Sequence, residues 1–134
     1  MNRRVALGFI ASAFVLAAAP AFAGSYLDRA ALLVNQASRE ADYLRAHLTD
    51  LELARVVQKV AAARLKAASK MQVPKEVAQA HPHLLMVLEN YERAASAAAD
   101  GKTQRFLILQ QRARDEERTF RGVLKQLGWS LPQA

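Results

Sequence analysis

Residues 27–48 read LDRAALLVNQASREADYLRAHL, and in them Leu27, Ala30, Val34, Ala37, Ala41, Leu44 and Leu48 recur at alternating steps of three and four. That spacing is the a/d pattern of a helix buried along one stripe in a bundle. Ser25, with Asp28 three residues on, suits an N-terminal cap for it. A second apolar face follows on Leu53, Val57, Val60, Ala61, Leu65, Ala68 and Met71, introduced by Thr49-Asp50-Leu51-Glu52 with capping-box spacing. Neither Gly nor Pro separates the two segments. At about 100° per residue, however, the second apolar arc is displaced by more than a quarter turn from the first, which predicts a break rather than one long helix.

Further along, Val73-Pro74 ends the second helix, because the residue before a proline is pushed out of helical geometry. Pro82 suits the first turn of a third helix, whose seam is Leu84, Leu88, Tyr91, Ala95 and Ala98. Asp100-Gly101 stops it. A fourth helix starts near Lys102 or Thr103, buries Phe106, Leu109, Ala113, Phe120, Val123 or Leu124, and Leu127, and ends at Gly128 as a left-handed cap. Four such helices joined by short links predict an all-α, antiparallel up-down-up-down four-helix bundle over residues 24–134.

Upstream of the bundle, residues 1–23 have the order of a secretory signal: basic Asn2-Arg3-Arg4, an apolar stretch from Val5 to Ala19, then Pro20 and the small-residue site Ala21-Phe22-Ala23. Cleavage is expected between Ala23 and Gly24, which places the mature protein in the periplasm or outside the cell. The apolar run is also just long enough to span a bilayer, so an uncleaved anchor is the competing reading. No later segment is apolar enough to span a membrane.

Cysteine is absent, which excludes disulfides, covalent c-type haem, thiolate metal sites and cysteine nucleophiles. No glutamate is followed three residues later by histidine, so ferritin-like di-iron chemistry is excluded too. No Ser-His-Asp set, glycine-rich phosphate loop, EF-hand or zincin motif occurs. A non-enzymatic protein without a cofactor is therefore expected.

Four constellations remain. His81 and His83 bracket Pro82 and form a candidate site for a divalent transition metal or small ligand, the alternative functional reading; Met71 at the same end leaves room for a non-covalent haem. His47 is expected at the opposite end, roughly 30 Å away over about 20 helical residues. Arg64 and Glu116 each interrupt an apolar arc and are expected to form a buried ion pair between the second and fourth helices. Arg114, Arg118, Arg121 and Lys125 share one face of the fourth helix, as Arg55, Lys59, Lys66 and Lys70 do on the second. Leu32, Gln36, Arg39 and Tyr43 form an outward stripe on the first, a candidate protein contact compatible with a monomer or a homodimer. With a net charge of +7, the leading expectation is an interaction module that takes a protein or an anionic envelope surface through its basic outer faces. Export argues against nucleic acid as the partner.

Overall fold

The computed structural model describes residues 11–133, with side chains from Ala23 onward. Residues 1–10 of the expected signal sequence thus lie outside the described residues. Those that are described are all-helical, with four helices and no strand: α1 (Ala11–Arg45), α2 (Leu51–Ser69), α3 (His81–Ala99) and α4 (Thr103–Gln126). A short 3₁₀ turn, Lys75–Val77, lies between α2 and α3. Among the described residues no helix is long and apolar enough to cross a membrane.

α1 buries Leu27, Ala30, Val34, Ala37, Ala41 and Leu44, the expected stripe, with Leu48 half-buried just beyond it. Ser25 does not cap it. The helix runs through from Ala11, and the Ser25 hydroxyl accepts from Arg29 within it. α1 and α2 are separate helices, divided by a turn in which His47 N–H donates to the Leu44 carbonyl and Asp50 N–H to that of His47. Asp50, one residue later than the sequence suggests, caps α2 by accepting from Leu53 N–H at 2.9 Å.

On α2 only Ala54, Ala61, Arg64 and Ala68 are buried: Leu53, Val57 and Leu65 are half-covered, and Val60, placed in the expected apolar face, is 43% exposed. α3 is the central element. It packs against α2, α4 and α1, whereas α2 and α4 make no substantial contact with each other. Facing three neighbours, α3 buries more than its expected seam, adding Val87, Ala94 and Ala97. α4 ends as expected: Gly128 takes a left-handed φ of 92°, and Trp129 N–H folds back on the Leu124 carbonyl at 2.9 Å.

Candidate functional site

Arg64 is only 8% exposed, so the sequence expectation that it lies inside the core is met, but its partner is not Glu116. Its Nη2 donates to Glu40 Oε2 on α1 at 2.6 Å. Glu116 instead meets Nδ1 of His83 at 2.7 Å. The reason is the central position of α3: it separates α2 from α4, and Arg64 and Glu116 each take a polar partner on an adjacent helix. Glu40 went unrecognised in the sequence because it sits on the edge of α1's apolar arc. Its second oxygen, Oε1, is buried without a partner beside a small cavity lined by Arg64, Val57, Tyr91 and Phe106.

His81 and His83 are not brought together as a chelating pair. Two positions apart on a helix, their side chains are turned about 200° from one another. Nδ1 of His81 lies 2.8 Å from the Tyr26 hydroxyl, while His83 faces Glu116. Burial lowers the His81 pKa below 6.5, with a backbone hydrogen bond to Ala68 acting the other way. Which group donates in the Tyr26–His81 hydrogen bond follows the tautomer of the ring. Tyr26 is fully buried, and burial raises its phenol pKa while Arg29 nearby opposes the shift. These contacts join α1, α2 and α3 at one end. Among the described residues no three His, Cys, Asp or Glu side chains cluster closely enough to hold a metal ion.

The basic row of α4 is largely neutralised from within. Arg114 pairs with Asp42 of α1, Arg118 with Asp115 and Arg121 with Glu117 at 2.9 Å, leaving Lys125 as the one member of the row without an ion partner among the described residues. Asp42 also accepts from the fully buried Gln110, whose own carbonyl oxygen has no partner. Nothing in the spacing singles out Gln110, a polar residue at the margin of α4's arc.

On α2 the balance is reversed. Arg55, Lys59, Lys66 and Lys70 are all exposed, and none forms an ion pair among the described residues. The single acid of α2 is Glu52, at its start. Beside this cationic row runs an apolar one: Val56, 57% exposed, then Val60, Ala63 and Ala67, all solvent-facing at steps of four, three and four. Leu32 at 57% and Tyr43 at 58% stand out from α1, as the sequence predicts for that stripe, and Gln36 and Arg39 are exposed with them. The Tyr43 ring stacks on His47 with centroids 4.3 Å apart.

Comparison with protein-family models, with characterised proteins and with solved structures finds no match to this chain. Among the described residues, fold and surface define an all-α, four-helix protein in which the outer side of α2 carries cations without an ion partner beside exposed apolar residues.

Proposed function

We propose that the protein is an exported, non-enzymatic binding module of the cell envelope, and that it docks an anionic partner through the outer side of α2. The observation that carries this reading is the contrast between the two basic rows. Arg114, Arg118 and Arg121 on α4 already have carboxylates, whereas Arg55, Lys59, Lys66 and Lys70 on α2 have none among the described residues. Unpaired like charges along one helix repel each other by a few tenths of a kcal/mol per pair, a cost that an anionic partner removes. Export is supported by the basic, apolar and small-residue order of residues 2–23.

The helices are taken to alternate in direction, up-down-up-down. Supporting this are the short links and the levels at which α1 and α2 meet: Glu40 lies at Arg64, while Leu44, one turn later, shares the cavity wall with Val57, two turns earlier on α2. The test is replacement of Arg55, Lys59, Lys66 and Lys70 by Glu in the full chain, beside an Arg118→Glu/Lys125→Glu control. The complex seen by size-exclusion chromatography of envelope extracts should vanish with the α2 changes and survive the control. Survival of both would refute the reading.

A further inference from the structure

The exposed apolar row of α2 continues a heptad. Leu53, Val56, Val60, Ala63 and Ala67 follow steps of three, four, three and four, with Leu53 half-buried and the other four exposed. In that register Val57 and Arg64 fall on the flank turned toward α1, where Arg64 meets Glu40. Lys59 and Lys66 fall on the opposite, open flank. One step round α1 from Glu40 lie Gln36 and Tyr43, both exposed. With α1 and α2 antiparallel, Tyr43 comes near the level of Val60 and Gln36 near that of Ala67. The result is an exposed apolar strip of two valines and two alanines along α2, with two lysines on its open flank. From Val56 to Ala67 it is about 16 Å long, or three helical turns.

We infer that this strip receives an acidic amphipathic helix of a partner protein, packed against α2 with Val56, Val60, Ala63 and Ala67 as knobs and its carboxylates opposite Lys59 and Lys66. The inference rests on the proposed role of α2 and names its partner. Three features select a helix. The heptad spacing matches the helix repeat, the small alanines let a second backbone approach closely, and lysines on a flanking position pair with glutamates of a facing helix.

Charge also rules on the other two occupants. In a two-fold pairing of α2 with a second copy, Lys59 of one chain would face Lys66 of the other along the open flank, so the same row that attracts an acid opposes self-association. An anionic membrane would draw the lysines equally well, but helices that lie in the lipid interface present Trp, Phe or Leu to the acyl boundary, and this row offers Val and Ala.

The experiment uses the full chain as exported and two synthetic amphipathic peptides of about three heptads, identical in their Leu a/d positions but flanked by Glu in one and Lys in the other. Fluorescence anisotropy of each labelled peptide is titrated at low salt, with phosphatidylglycerol vesicles as a third arm. The Glu-flanked peptide should bind about tenfold more tightly than its Lys twin, a ratio typical of a few flanking ion pairs. Lys59→Glu/Lys66→Glu should invert that order, and Val60→Glu should abolish binding of the Glu-flanked peptide while leaving the circular dichroism melt unchanged. Equal affinity for the two peptides, an order unaffected by the double reversal, or a preference for vesicles would each overturn the inference. If α2 reversal still dissolves the native complex while the peptides fail to discriminate, the role of α2 stands and the helical partner falls.

Discussion

Arg64 Nη2 donates to Glu40 Oε2 at 2.6 Å, and through this bond α1 and α2 are held at one level. The guanidinium is buried and Glu40 is about one-third exposed at its side chain. The pair is therefore neither a solvated surface bridge nor a fully desolvated one. Removing one partner of a buried pair costs more than the pair itself contributes, because the other charge is left behind.

Arg64→Ala is expected to destabilise the protein by about 2 kcal/mol, below the full cost of orphaning a buried charge because water reaches Glu40. Arg64→Met, which keeps the volume, should cost less, and adding Glu40→Gln should recover part of the loss. Urea denaturation measures all three. A loss below about 0.5 kcal/mol for Arg64→Ala would make the bridge incidental.

The Tyr26–His81 contact sets a pH dependence. The folded-state pKa of His81 is lowered by burial, so the unfolded chain binds the proton more tightly. Its contribution to stability is complete above pH 6.5 and is lost as pH falls below that value toward the folded-state pKa. Tyr26 has the opposite sign: its raised pKa gives stability that is complete below pH 10 and lost above it. Melting temperatures of the wild type and of His81→Gln across pH 5 to 7.5 should differ in slope, with the variant the flatter. Identical slopes would contradict the assignment.

Two glycines of unlike conformation give opposite responses to the same substitution. Gly101 closes α3 with φ 74°, and nothing lies within 4 Å of an added Cβ. Gly101→Ala should cost about 1 kcal/mol, all of it from backbone strain. Gly122 lies inside α4, with equally open space around it and an ordinary helical conformation. There Ala should stabilise by about 0.5–1 kcal/mol, measured by the same denaturation. Loss of stability from both would argue against the helical course of α4 through Gly122.

The sequence made the helix seams legible because core burial repeats along a helix: Leu27 to Leu44, Leu84 to Ala98 and Phe106 to Leu124 are read from spacing alone. It also revealed that Arg64 is inside, since a cation within an apolar arc has little choice. Which acid meets it was not legible. Glu40 and Glu116 are both within a stripe's margin, and only the interposition of α3 between α2 and α4 decides between them. Ion pairing of the α4 arginines was hidden for a similar reason. Asp115 and Glu117 are local and visible, but Asp42 arrives from another helix. On α2 the failure was of another kind: Val60 has the right residue type for a core, but α2 packs through Ala54, Ala61, Arg64 and Ala68, a side from which Val60 is turned away.

Export carries its own check. Intact mass of the untagged protein recovered from the cell envelope should begin at Gly24, the residue after Ala21-Phe22-Ala23. A mass retaining residues 1–23 would replace cleavage by an anchored N-terminus.

The claim that the outer side of α2 is the docking surface is tested most directly by site-specific photocrosslinking in intact cells. A benzophenone amino acid is placed in turn at Ala63 on α2 and at the exposed Gln111 and Arg118 on α4. The account predicts a discrete crosslinked species from Ala63 that disappears with Lys59→Glu/Lys66→Glu, and none from the α4 positions. Crosslinks from Gln111 or Arg118 with Ala63 silent would contradict it and move the partner to the face whose charges are already paired.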